Sequence, residues 1–363
     1  RLRRLRGLVA AELAASDDGD DLRVVVRRAT LHPDSDLPPD VDLLVRAAHG
    51  AVWLADLKLA DRLAEAAVRA GAGPEASFVR AHALSWLGRG EEADAVFAAM
   101  PTTGLTDEDH GRYAFLRASN LLWALADPAR AKDVIDEASH SALSQARTYI
   151  DAFLTVYWFA TDQPQAAAQA AENLVLEELP AVVGAEIAWV LSAIAADAGQ
   201  TSRAVNVAEA GYRVAAWSFD APHMVFNIAD AHISALLLSG RLDGAGDVAA
   251  RVHAQAADLP GAARLLAVAA AGRVCVGAGQ IDDAIQLLEQ AAIGLSASGY
   301  AVGWGHRYDV PRVASLAMGG SAEAAAALAA LDSVQRPFRS LDYEHSLARA
   351  WVAAAQGAVS EAI

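Results

Sequence analysis

The sequence predicts an all-α protein in which helix–turn–helix units stack into a superhelix. Three observations predict it. An alanine recurs at Ala60, Ala93, Ala131, Ala167, Ala204, Ala245, Ala284, Ala324 and Ala362, at intervals of 33 to 41 residues. Five residues before each stands a small or turn-compatible residue: Ala55, Gly88, Ala126, Asp162, Gly199, Gly240, Gly279, Gly319 and Gly357. Four and seven residues after the alanine the chain is mostly apolar, as in Phe97 and Met100 or Leu328 and Leu331, which puts one stripe on one helical face. A unit of this length cannot bury its own apolar face and is stable only against its neighbours.

Taken in order, residues 1–15 and 21–31 predict two helices split by Ser16-Asp17-Asp18-Gly19-Asp20. Val24-Val25-Val26 is the notable β-branched run, and its charged flanks fit a helix. Prolines in the stretch from His32 to Asp40 mark a linker, because proline removes a helix donor and clashes with the preceding turn. Units follow at about 40–70, 73–101, 106–140, 144–178, 180–219, 222–259, 260–299, 303–333 and 338–363. In each, a first helix is expected to stop at the glycine position, where a left-handed residue ends the helix at little steric cost. Twelve residues before the alanines stand Ala48, Ala81, Ser119, Thr155, Ser192, Gly272 and Ala350, with Ile233 and Arg312 as exceptions. Small side chains there let two helices cross closely. Pro128, Pro164, Pro180, Pro222, Pro260 and Pro337 fall at predicted helix starts or turns, where proline is tolerated. The segment Gly303 to Arg312 breaks the pattern with two glycines, a proline and a large residue at the small-residue position. Such local inconsistency often marks a functional or strained site. The division expected is 1–37 as an N-terminal helical segment and 38–363 as about nine helix pairs, cut short in the last pair.

Composition narrows the function. The 363 residues carry 29 basic and 45 acidic side chains, a net charge of −16, whereas a nucleic-acid-binding face is basic. DNA contact by this region alone is therefore not expected. No apolar run reaches the roughly 18 residues that span a bilayer, and the opening Arg-Leu-Arg-Arg-Leu-Arg is no secretory leader. A single cysteine, Cys275, fits a reducing cytoplasm and an apolar core position. The ten histidines are scattered; His223 and His232 do not share a helical face, and His306 and His345 fall in different units. Phosphate-cradling, zinc-binding and nucleophile-elbow motifs are absent from the sequence, so neither an enzyme, a metal nor a bound cofactor is expected in this region.

First helices of stacked pairs line the concave side. Counting 18, 15, 11 and 8 residues back from the alanines gives the inward face without selection by residue type. The candidates that emerge are Tyr113, Asn120, Trp123, Tyr149, Glu186, Trp189, Asn227, Asp230, Arg273, His306 and Asp309. Aromatic faces that stack on a flat ligand, mixed with a few groups that bond hydroxyls, suit a small-molecule site. A groove for a peptide or protein partner is the alternative, and the acidic charge favours a basic one.

The turns Ser85-Trp86-Leu87-Gly88-Arg89-Gly90-Glu91-Glu92-Ala93 and Gly279-Gln280-Ile281-Asp282-Asp283-Ala284 resemble those of tetratricopeptide repeats. The intervals mostly exceed the 34 residues of that family. They are closer to the expanded repeats of the maltose-regulator-like transcription activators, large ATP-binding (STAND) regulators of the LuxR class. The segments Leu43 to Ala48 and Leu63 to Ala67, followed by the Gly88 turn, are similar to the start of the sensor region in actinobacterial and mycobacterial members. The basic helix Arg1 to Arg6 resembles the end of their preceding winged-helix module. The resemblance implies a right-handed superhelix that senses an inducer. It implies a sugar effector, a disaccharide such as trehalose or a maltose-like sugar, and ligand-linked self-association in the cytoplasm. ATP binding is expected in an upstream domain and DNA binding in a C-terminal helix-turn-helix, neither of which lies in these residues. The absence of an initiator methionine and the stop at Ile363, where a second helix should begin, point to a piece of a longer chain. No sugar-contacting residue carries over by motif.

Overall fold

The computed structural model describes residues 1–16, 21–32, 34–54, 56–140, 142–216, 224–257, 263–334, 340, 342–358 and 360. Among these there is no strand, and helices follow one another along the chain. The N-terminal pair is α1 (Leu2–Ser16) and α2 (Leu22–Leu31). The stacked pairs are α3 (Val41–Trp53) with α4 (Leu57–Arg69), α5 (Pro74–Trp86) with α6 (Gly90–Ala99), α7 (Asp107–Ser119) with α8 (Pro128–Ser139), and α9 (Ser144–Ala160) with α10 (Pro164–Ala170). They continue as α11 (Ala181–Asp197) with α12 (Thr201–Ala216), α13 (Met224–Leu238) with α14 (Leu242–Ala256), α15 (Ala263–Gly277) with α16 (Ile281–Leu295), and α17 (His306–Met318) with α18 (Ala324–Asp332). The final helix described is α19 (Asp342–Ala355).

The recurring alanines are the crossing points. Ala60, Ala93, Ala131, Ala167, Ala204, Ala245 and Ala284 are fully buried, and Ala324 nearly so; Ala362 lies outside the described residues. At one crossing the Ser192 hydroxyl, twelve residues before Ala204, donates to the Ala204 carbonyl at 3.0 Å. At another, a Cβ on Gly272 would come within 2.8 Å of Leu288 Cγ, so only glycine fits there. Side chains of one unit also serve the next. Asp107 on α7 accepts the backbone N–H groups of Leu143 and Ala146 at 3.1 and 3.0 Å, which caps the otherwise uncapped start of α9.

In seven of the nine units the turn position is left-handed whatever residue fills it. Gly88, Gly199, Gly240, Gly279 and Gly357 have φ between +71° and +77°, and Ala126 and Asp162 are forced to +57° and +60°. The following N–H reaches back to the last turn of the first helix, as Arg89 to Leu84 at 2.9 Å and Gln163 to Trp158 at 2.7 Å, the hydrogen bond of a Schellman stop. Ala55 lies outside the described residues. In the eighth unit the expected Gly319 is right-handed (φ −77°) and Gly320 takes the left-handed turn at +69°. The stop falls one residue later than the alanine spacing implies.

Other expectations are modified. In the fourth unit the second helix ends at Ala170, so Leu174 falls outside it. Cys275 is half-buried rather than buried. Pro128 and Pro164 open α8 and α10, and Pro180 caps α11, whereas Pro222, Pro260, Pro337 and His223 lie outside the described residues. The irregular segment 303–312 is helical after all. Residues 296–305 run in wide, five-residue-spaced turns into α17, which tolerates Pro311 in its interior. A second such wide turn, Asn120–Ala124, ends α7. Wide turns of this kind cluster at functional sites.

The stack curves back on itself. One apolar core joins Val25 to Leu87, from α2 through the second pair, with Phe226 to Tyr308 of the sixth to eighth pairs. The Trp86 and Trp304 rings meet at 4.9 Å between centroids, and the Ser340 N–H reaches the Ala160 carbonyl at 3.3 Å. First helices face the interior, and the hollow narrows to a chamber.

Candidate functional site

At the centre of the curved stack lies a cavity of about 310 Å³. Its wall is built by first helices from five units. α5 supplies His82, Ser85 and Trp86; α7 and its wide turn supply Ser119 and Trp123; α11 supplies Glu186 and Trp189. α13 supplies Met224, Asn227 and Asp230, and the α17 entry supplies Trp304, His306 and Arg307.

Of the residues predicted from sequence, Trp123, Glu186, Trp189, Asn227, Asp230 and His306 meet at this one chamber. Arg273 stands directly behind Asp230, at 2.9 Å. Tyr149 lines a neighbouring cavity of about 390 Å³ instead, beside Glu75 and Arg112. Three candidates point elsewhere. Tyr113 packs edge-on against Phe97 and donates to its carbonyl at 3.4 Å. Asn120 is wholly buried and donates to the Gly90 carbonyl at 2.9 Å, tying the third unit to the second. Asp309 accepts from Arg312 at 2.6 Å, which answers how a large residue sits at that small-residue position: its guanidinium turns along its own helix. Counting back places a residue on a face, but it does not say whether a neighbour already covers that face.

Indoles dominate the chamber. Trp123 and Trp189 lie 5.9 Å apart, inclined at 50°, and Trp86 and Trp304 make the second tilted pair. Their polar edges are anchored: Trp123 Nε1 donates to Glu186 at 3.2 Å, and Trp304 Nε1 donates to Asn227 at 2.7 Å. Anchored N–H groups leave ring faces to present to a ligand.

Behind one wall the charges form a closed four-membered set. Asp230 accepts from Arg273 and from Arg307 Nε at 2.9 and 2.8 Å. Glu344 on α19 accepts from Arg273 at 3.0 Å and from Arg307. Arg273 also donates to the Ser234 hydroxyl at 2.9 Å. Burial disfavours the Glu344 charge, but the two guanidiniums outweigh it and hold its carboxyl at about 2. Tyr343 extends the set by donating to Asp197 at 3.0 Å. Within the four-membered set itself, Arg273 and Arg307 are the two cations and Asp230 and Glu344 the two anions.

Glu186 stands apart. It is 7% exposed, and no arginine, lysine or histidine among the described residues pairs with it. Burial raises its carboxyl to about 7, with only the Trp123 indole opposing. The adjacent cavity contrasts with this. There Arg112 binds Glu75 through both nitrogens, at 2.6 and 3.0 Å, and His49 approaches at 3.1 Å. Although burial opposes the Glu75 charge, those hydrogen bonds hold its carboxyl at about 2.

Sequence reasoning missed Trp86, Arg307 and Glu344, yet part of the signal was there. Applying the same count to Ala93 gives His82 and Ser85, which line the chamber, and applying it to Ala362 gives Glu344. Trp304 and Arg307 sit inside the irregular segment that the broken pattern had marked. Trp86 falls outside any count because it lies at the end of its helix.

No group of histidine, cysteine, aspartate or glutamate suited to a metal occurs among the described residues, and no helix among them is long and apolar enough to cross a membrane. No known protein family matches this chain, and no curated protein matches it.

Proposed function

We propose that this chain is the inducer-sensing region of a transcription regulator and that the central chamber takes a small polar effector, a sugar of disaccharide type such as trehalose or a maltose-like sugar. The observation that carries the reading is one cavity where four indoles meet a buried carboxylate that has no cationic partner among the described residues. Its volume falls in the range of small-molecule sites, and apolar walls with few fixed polar groups are how such sites orient a ligand. Indole faces stack on the C–H faces of a sugar ring, and Glu186, Asn227 and the Ser119 hydroxyl supply bonds to its hydroxyls. The Ser119 oxygen is buried and has no hydrogen-bond partner, a state that costs free energy until a ligand satisfies it. The meeting of Trp86 and Trp304 across the hollow favours a compact ligand over a peptide laid along a groove. On this reading the chain binds rather than transforms its ligand, and DNA contact and ATP binding fall to the flanking modules that the resemblance implies.

Scanning calorimetry against a panel of mono- and disaccharides tests it. A ligand that binds only the folded chain adds about 2.7 kcal/mol at one hundred times its Kd, so a true effector raises the melting temperature by degrees, and Trp189→Ala abolishes the rise while keeping the helical signal. A panel that leaves the transition unmoved up to roughly 10 mM defeats the proposal.

A further inference from the structure

Among the described residues the charges around the chamber do not cancel, and this bears on what the effector is. Asp230 and Glu344 are matched by Arg273 and Arg307 through the contacts above. Glu186 is left over, facing the cavity at 7% exposure with an indole N–H as its side-chain partner. A lone carboxylate in an apolar wall is costly to ionise. Its cost is relieved by a cation brought in by the ligand. The same wall supplies the aromatic half of a cation site, because the negative ring faces of tryptophan attract an ammonium within about 6 Å of the centroid. The four indoles line the cavity in two tilted pairs, Trp123–Trp189 and Trp86–Trp304. The acidic chain, at −16, also draws cations toward it over longer range.

We propose that the effector carries an ammonium group, seated among the indoles of Trp86, Trp123, Trp189 and Trp304 with Glu186 as its counter-ion. An amino sugar meets this requirement and the sugar reading together. The inference rests on the effector reading above, and it makes Glu186 the residue that decides specificity.

The test uses matched pairs that differ only at the charge. The chain is titrated calorimetrically near neutral pH with glucose against glucosamine, trehalose against 2-amino-2-deoxytrehalose, and 3,3-dimethyl-1-butanol against choline. The ammonium member of at least one pair is expected to bind roughly tenfold tighter or more, and Glu186→Gln, which keeps an acceptor for the Trp123 N–H, is expected to erase that preference. If the neutral members bind as well as the charged ones, the ammonium inference fails and the sugar effector stands. If the charged preference persists in Glu186→Gln, Glu186 is not the counter-ion and the inference is overturned. If no compound binds, both readings fall. The comparison within the unaltered chain decides the first point even should the variant not fold.

Discussion

Glu186 links the chamber to stability because its proton affinity changes when the chain folds. An ordinary glutamate ionises near 4.5, and in the folded chain burial lifts this to about 7. The folded state therefore holds a proton that the unfolded state has lost between those values, and stability falls as pH rises through the window. Below about 4.5 both states are protonated and the term vanishes. Glu186→Gln removes it, so the variant should match the parent near pH 4.5 and exceed it at pH 8, by up to roughly 3 kcal/mol. Melting curves at the two pH values check this; equal gains at both would mean that the carboxyl is not held neutral. His232 bounds the acid side. Burial lowers it to about 4 although Glu209 opposes, so stability held above the ordinary histidine value of 6.5 is lost as pH falls toward 4. The position of Glu186 was legible in the sequence, because a fixed count placed it on the inward face beside Trp189. Its lack of a countercharge among the described residues was not legible. That depends on Arg273 and Arg307 being taken by Asp230 and Glu344, partners 37 to 77 residues away from one another in the chain.

Helix ends were legible for a different reason: a stop needs a left-handed residue, and glycine supplies one at least cost. Where glycine is missing the geometry persists, since Ala126 and Asp162 adopt φ of +57° and +60°. The surrounding units impose the turn, and the residue bears the strain. A non-glycine residue in this region costs about 1–2 kcal/mol, part of which glycine returns as unfolded-state entropy. Asp162→Gly, at an exposed position, should therefore stabilise the chain by about 1 kcal/mol, and Gly199→Ala should destabilise it by a similar amount. Chemical denaturation midpoints with unchanged slopes read both; a destabilised Asp162→Gly would show that its side chain contributes more than the backbone loses. What spacing could not register was a one-residue adjustment. The shift from Gly319 to Gly320 and the wide turn at Asn120–Ala124 alter where a helix ends without altering which residues look apolar.

Closure of the stack changes how the whole molecule should unfold. In an open repeat array each unit touches only its neighbours, and unfolding can fray from an end. Here Trp86 of the second unit meets Trp304 of the eighth, and one core contains residues from α2 to α5 together with residues from α13 to α17. Contacts of this span leave no periodic trace in a sequence, because periodicity records what each unit does and not which distant unit it meets. They should couple the two ends into one cooperative transition. Trp304→Ala removes both the contact with Trp86 and the hydrogen bond to Asn227, at an expected cost of about 3–5 kcal/mol. It should also broaden or split the calorimetric transition, with the van't Hoff enthalpy falling below the measured one. Trp351→Ala, at a 46% exposed position on α19, should leave the transition single and serves as the control. A parent chain that already melts in separate steps, or a Trp304→Ala variant that loses stability yet keeps a single sharp transition, would mean that the indole pair stabilises the chamber without joining its two sides. The effector reading makes this coupling functional: a ligand seated between Trp123, Trp189 and Trp304 bridges the same units, so binding should narrow the transition as well as raise its midpoint.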